Sequence, residues 1–169
     1  MSEFDAFKKV VKNYANAYAM FEKFQHAEQN IFIPKKGDQK TGVIGEAYIY
    51  EYLSRKGERG LAFGGHSEKG WDIKTSKRTY QVKTVSAYSK TGVVSPIHDN
   101  WNFLYLIHLN YSFEPDKVYC VKNPNPGNWT KSVVRGVKFP KDDAKGLRIN
   151  GEICALNDVT KDFMEKMVF

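Results

Sequence analysis

The sequence predicts a single α/β or α+β domain, with helices packed on a small central sheet. Three observations predict it: two amphipathic helical patterns come first, two or three short strand patterns bracket the middle, and WNFLYLIHLN at 101–110 is apolar on both faces. Helices followed by a run of strands must bury one stripe and one sheet face against each other. At 169 residues with 41% hydrophobic and 14% aromatic residues, the chain has enough apolar surface for one core. That composition excludes intrinsic disorder.

The first helix is expected over residues 3–25. Phe7, Val10, Val11, Tyr14, Tyr18, Phe21 and Phe24 recur at helical spacing, with Lys8, Lys9 and Lys12 between them. A loop with Pro34, Gly37 and the cluster Lys35, Lys36 and Lys40 follows. Thr41 is a plausible cap for a second helix through GVIGEAYIYEYLSRKG, which Gly57 and Gly60 end. Glycines 64, 65 and 70 bracket a stretch holding His66. WDIKT (71–75) and TYQVKTVSAY (79–88) read as a hairpin, a polar loop spans 89–100, and 101–110 is a fully buried strand. KVYCVKN (117–123) returns as its partner. From 123 onward NPNPGNW reads as irregular; a mixed tail with Arg135, Lys138, Lys141, Lys145 and Arg148 follows, then a short helix from about Asp158 to Met167.

The net charge of +7 points to a polyanionic partner. Two cysteines, Cys120 and Cys154, exclude a disulfide scaffold and a cysteine-based zinc module. No apolar run exceeds five residues, and the N-terminus is charged where a signal peptide is apolar. A cytoplasmic protein without membrane contact is expected.

The informative segment is GWDIKTSKRTYQVKTVS. With the turn centred between Ser76 and Lys77, opposed residues have position numbers that sum to 153. Asp72 then faces Gln81, Ile73 faces Tyr80 and Lys74 faces Thr79. Strand side chains alternate, so Asp72, Gln81 and Lys83 share one face, and Trp71, Ile73, Tyr80 and Val82 the other, core-facing side. An acid, an amide oxygen and an ammonium together suit metal-assisted phosphodiester hydrolysis. Hard divalent cations take oxygen ligands and keep water, lower the pKa of that water, and work beside a cation that stabilises transition-state charge. A second carboxylate is expected nearby, and Glu46, among the apolar residues of GVIGEAYIYEYL, is the candidate. Each residue also has an ordinary reading: Asp72 as an ion-paired strand acid, Lys83 as a solvated lysine, Glu46 as a helix-dipole acid.

Here the chain resembles the PD-(D/E)xK nuclease superfamily, the fold of most type II restriction enzymes and of Mrr-like restriction nucleases. The matching parts are Glu46 in a Gly-Glu helix, Asp72 at the first strand, Gln81-Val82-Lys83 on the second, and the hydrophobic strand after them. They lie within residues 41–123, about half the chain. Gln81 stands where the superfamily usually has Glu, as in its Mrr-like members. The resemblance implies a restriction-endonuclease-like domain with a mixed sheet flanked by helices. It implies Mg²⁺, for which Mn²⁺ substitutes, held by Asp72, Gln81 and the Val82 carbonyl. Lys83 would handle the nucleophilic water, and Glu46 would bind metal through water or at a second site.

The expectation is therefore a type II restriction endonuclease acting on double-stranded DNA, a homodimer on a palindromic site, with a cognate methyltransferase as companion. The alternatives are a junction-selective or homing-type nuclease and a non-cleaving DNA-binding module on the same scaffold. Candidate DNA contacts are Lys35, Lys36, Lys40, His66, Lys77, Arg78, Ser86, Ser89, Lys90 and Arg135. His98, beside Asp99, is a lesser candidate to line the site, and His108 reads as a hydrogen-bonded core residue. Residues 124–169 are expected to supply substrate or dimer contacts.

Overall fold

The computed structural model describes residues 2–25, 40–64 and 70–167. Helix α1 (Glu3–Gln25) starts with a reciprocal cap. The Ser2 hydroxyl accepts from the Asp5 N–H (3.1 Å), and Ser2 donates to the Asp5 carboxylate through its hydroxyl (2.7 Å) and its N–H (3.2 Å). Its core stripe is narrower than the periodicity implies. Val11 and Ala15 are buried, with Phe4, Phe7, Tyr14 and Tyr18 packed beside them, whereas Val10 is 64% exposed. The side chains of Phe21 and Phe24 lie outside the described residues.

Helix α2 (Lys40–Arg55) begins one residue before Thr41, so Thr41 belongs to its first turn. It buries Ile44, Tyr48, Ile49, Tyr52 and Leu53. Gly57, with φ +83°, turns the chain out of the helix and donates to the Ser54 carbonyl at 2.9 Å.

The main sheet has seven strands in the order β1-β2-β3-β5-β6-β9-β8. These are β1 (Ala62–Phe63), β2 (Ile73–Lys74), β3 (Thr79–Ser86), β5 (Phe103–Leu109), β6 (Pro115–Lys122), β8 (Gly146–Ile149) and β9 (Glu152–Asp158). Only β3 and β5 are parallel, Lys83 lying opposite Leu106; the other neighbours are antiparallel. The hairpin register is the expected one, with Ile73 opposite Tyr80 and Lys74 opposite Thr79. Strand β5 buries Leu104, Tyr105, Leu106 and Ile107, as its two-sided apolar pattern requires. A second sheet pairs β4 (Ile97–His98) with β7 (Val133–Val134).

The domain is thus mixed α+β, and two expectations change. First, among the described residues the helices do not flank the sheet on both sides. Helices α1, α2 and α3 (Thr160–Met167) all contribute to one core, with Ile73, Tyr80, Val82, Tyr105 and Ile107 of the sheet. The opposite face is roofed by segments carrying Val94, Ile97, Trp101, Val137 and Phe139 over Val85, Leu104, Leu106 and Tyr119. The face bearing Gln81 is therefore buried as well, and Gln81 is 1% exposed.

Second, the mixed tail carries three strands that the sequence did not single out, β7, β8 and β9, before the expected terminal helix α3. Strands β8 and β9 form a hairpin across Asn150-Gly151, with φ values of +51° and +84°, the pattern of a two-residue turn that matches strand twist. A Cβ at Gly151 meets nothing within 4 Å, so Gly151→Ala carries only the left-handed backbone cost. It is expected to lower stability by about 1 kcal/mol, measured as a shift in urea midpoint at constant slope. Helix α3 starts two residues later than expected, because Asp158 ends β9 and its carboxylate accepts from the Thr160 N–H (2.9 Å). Arg55 holds the other end, donating to the Lys166 carbonyl (2.8 Å).

Candidate active site

Strand β2 is short, and its ladder to β3 ends at Ile73. The next residue back, Asp72, donates its N–H to the Tyr80 carbonyl (2.8 Å) and accepts at its own carbonyl from Gly64 (2.7 Å). Its side chain then replaces the missing strand: Oδ2 accepts from the Val82 N–H at 2.7 Å. In a strand, the N–H and C=O of one residue point to the same edge. The Val82 carbonyl is thus directed to the same edge as Asp72, beyond the last β2 pair. The opening of the hairpin puts a carboxylate and a main-chain oxygen side by side.

Glu46 joins them from α2. Its position depends on Gly45, where the helix meets the sheet so closely that a Cβ would lie 2.0 Å from Thr84 Oγ1 and 3.0 Å from Ile107 Cγ2. Electrostatics tie the set together. Burial, then the negative charge of Asp72, pushes the Glu46 carboxyl up to about 7, with Lys83 opposing. Burial raises the Asp72 carboxyl against the pull of the Val82 hydrogen bond, Lys83 and His98. Burial also lowers the Lys83 ammonium, while Asp72 and Glu46 hold its proton. Fully ionised, this trio carries two negative charges and one positive in a partly dehydrated place, which is costly without a further cation.

The donor set fits a hard, hydrated divalent cation. Asp72 Oδ1 accepts no hydrogen bond from a described residue, and Gln81 Oε1, which accepts from the His98 N–H at 3.2 Å, keeps a second lone pair. Asp72, Gln81, the Val82 carbonyl and Glu46 are all oxygen donors, and Mg²⁺ is bound by one or two carboxylates with several waters. Among the described residues no group of three or more His, Cys, Asp or Glu side chains is placed to hold a metal ion.

Of the residues expected from sequence, Glu46, Asp72 and Lys83 interact electrostatically, and Gln81 and Val82 immediately precede Lys83 on β3, with Val82 bonded to Asp72. His98, ranked low on sequence, belongs with them: its N–H holds Gln81 and its imidazole acts on Asp72. A lone His-Asp dipeptide after a polar loop carries no distinguishing signal.

The expected DNA contacts scatter. Lys35, Lys36 and His66 lie outside the described residues, and Lys40 opens α2. Lys77 is exposed in the hairpin turn. Arg78 is also exposed, but it pairs with Glu58 at 3.1 Å and lies over the Phe103 ring. Ser86 is 8% exposed at the end of β3, on the helix-side face with Val82 and opposite Leu109, and presents almost no surface. Ser89 and Lys90 are exposed in the following turn, and Arg135 is exposed just after β7. His108 is only partly buried, with Nδ1 2.6 Å from Asp116 Oδ1, rather than a core residue. No helix among the described residues is long and apolar enough to cross a membrane.

A scan against protein-family models finds none that matches the chain. A search of the curated proteins finds none significantly similar to it.

Proposed function

We propose that this protein is a Mg²⁺-dependent DNA endonuclease of the restriction-endonuclease-like fold, hydrolysing phosphodiester bonds to 5′-phosphate and 3′-hydroxyl ends. The observation that carries the reading is the end of the β2–β3 ladder, where the Asp72 carboxylate takes the Val82 N–H at 2.7 Å with Lys83 and Glu46 in electrostatic reach. A half-buried carboxylate pair with a lysine, at the open end of a hairpin, is a costly arrangement for stability alone and a useful one for phosphoryl chemistry.

Asp72, Gln81 and the Val82 carbonyl would hold the metal, with Glu46 completing the charge. Bound there, Mg²⁺ supplies Lewis-acid stabilisation of the phosphate and a more acidic water. The protein's own groups do the rest. The Asp72 side chain is fixed by Val82, and Gln81 by His98, so neither must reorganise during the reaction. Burial makes Lys83 a weaker holder of its proton than a solvated lysine. Its Nζ is suited to orient the attacking water and to stabilise charge on the phosphate. Type II restriction activity, with a homodimer on a palindromic duplex and a partner methyltransferase, is the most economical form of this reading.

Purified protein incubated with plasmid DNA and Mg²⁺ is expected to give discrete fragments. EDTA, Asp72→Ala and Lys83→Ala are each expected to reduce cleavage by at least about 10²-fold, the usual loss for one electrostatic or proton-transfer group. Intact DNA with both Mg²⁺ and Mn²⁺ would sink the proposal.

A further inference from the structure

Strands β4 and β7 form a ribbon separate from the main sheet, with Ile97 opposite Val134 and His98 opposite Val133. It continues through a bridge between Val93 and Lys138, with hydrogen bonds from Val94 N–H to the Val137 carbonyl (2.9 Å) and from Phe139 N–H to the Gly92 carbonyl (2.8 Å). Directly opposed residues share a face, and faces alternate along a strand. Ile97 and Val134 face the second core. His98 and Val133 therefore face outward, and Lys131 and Arg135, two residues to either side of Val133, continue that side; at Gly136, φ +74°, the alternation is interrupted, so that Val137 is buried in the second core and Lys138 is exposed at the end of the ribbon.

The charge on this segment is one-signed. Residues 128–141 hold Lys131, Arg135, Lys138 and Lys141 and no acid. All four are exposed, and none is ion-paired with a described residue. Elsewhere Arg55, Lys56, Arg78 and Lys117 are neutralised by Glu51, Asp162, Glu58 and the Asp142–Asp158 pair. The ribbon is also registered on the candidate site: His98 donates to Gln81 on β3, and its imidazole acts on Asp72. A polyanion lying along the outer face would run up to Asp72 and Lys83.

We propose that the outer face of the β4–β7 ribbon is the surface that follows the phosphate backbone of double-stranded DNA, through Lys131, Arg135 and Lys138. The choice of DNA as the polyanion rests on the nuclease reading; the surface itself does not. Backbone contacts position a protein without reading sequence, so the effect is uniform across duplex sequences.

The test is binding of a short fluorescent DNA duplex in EDTA, by anisotropy across a NaCl series. The Lys131→Gln/Arg135→Gln/Lys138→Gln variant is expected to lower the slope of log affinity against log salt by about 2 to 3, at about 0.9 per phosphate contact, and to weaken binding roughly 10²-fold near 0.1 M salt. The same charge change on α1, Lys8→Gln/Lys9→Gln/Lys12→Gln, is expected to leave the slope within about one contact of the parent. The ribbon positions are exposed, so unchanged circular dichroism and melting temperature confirm that the fold is intact. An unchanged slope in the ribbon variant, an equal fall in the α1 variant, or binding to RNA duplex in preference to DNA would each overturn the proposal. Because binding is measured without metal, the two readings fail separately. Ribbon-dependent binding with no cleavage removes the nuclease and keeps the surface; cleavage with an unchanged slope does the reverse.

Discussion

Glu46→Gln is expected to make the metal-free protein more stable at pH 8 while abolishing the proposed cleavage. The Glu46 carboxyl is raised from its ordinary 4.5 to about 7, first by burial and then by Asp72. The folded state therefore binds this proton more tightly than the unfolded chain does. Below pH 4.5 both states are protonated and the group contributes nothing. As pH rises from about 4.5 to about 7 stability falls, and above 7 the full penalty is present. A displacement of that size is on the order of 3 kcal/mol at 1.36 kcal/mol per unit. Urea unfolding in EDTA should show Glu46→Gln ahead by up to that amount at pH 8 and level with the parent near pH 4. Adding Mg²⁺ should stabilise the parent more than the variant, since the cation relieves a repulsion the variant lacks. Equal stability of the two proteins at pH 8 would mean that Glu46 is not held against Asp72.

Gly45→Ala is expected to cost both stability and function. The new methyl would sit 2.0 Å from Thr84 Oγ1 and 3.0 Å from both Thr84 Cβ and Ile107 Cγ2, so helix and sheet must separate. Overpacking of this kind costs about 1–3 kcal/mol, offset by about 1 kcal/mol from the better helix propensity of alanine. The net loss is expected to reach up to about 2 kcal/mol. The functional loss is larger, because Glu46 is the next residue and moves with the helix. A shift of about 1 Å at a reacting group is worth about 10²-fold in rate. Thr84→Ala in the same chain should restore part of both, since it removes the nearest atom. That hydroxyl is buried without a hydrogen-bond partner, so its deletion alone costs little. A Gly45→Ala protein with parental stability and cleavage would show that this contact does not set the position of Glu46.

These sites differ in how far they could be read from the residues. The β2–β3 hairpin was legible because a two-residue periodicity and one turn fix a register, and a register fixes which side chains meet. Strand β5 was legible because an uninterrupted apolar run needs cover on both faces. The burial of Gln81 was not: it depends on residues 93–101 and 129–149 folding over that face, and nothing local announces so distant a contact. Strands β4 and β7 are two residues each, and they pair across more than thirty residues of chain. The β8–β9 hairpin did carry a signal, the Asn150-Gly151 dipeptide between alternating residues, which the scatter of basic residues around it obscured. Val10 faces water because α1 meets the core along a stripe narrower than its apolar content.

The one-sided placement of the helices also bears on how such a protein is altered. The core formed by Val11, Ile49, Tyr52 and Phe163 lies on one side of the sheet, and the segments 89–99 and 128–139 lie on the other. The sheet divides two cores, one packed by the helices and one by these segments, whose exposed residues meet the surroundings. Exposed residues on the roofing side can be exchanged, lengthened or grafted while the helical side is left untouched. Libraries aimed at new target preference belong in those two segments, with His98, Ile97 and Val134 kept as the fixed points that hold them to the sheet.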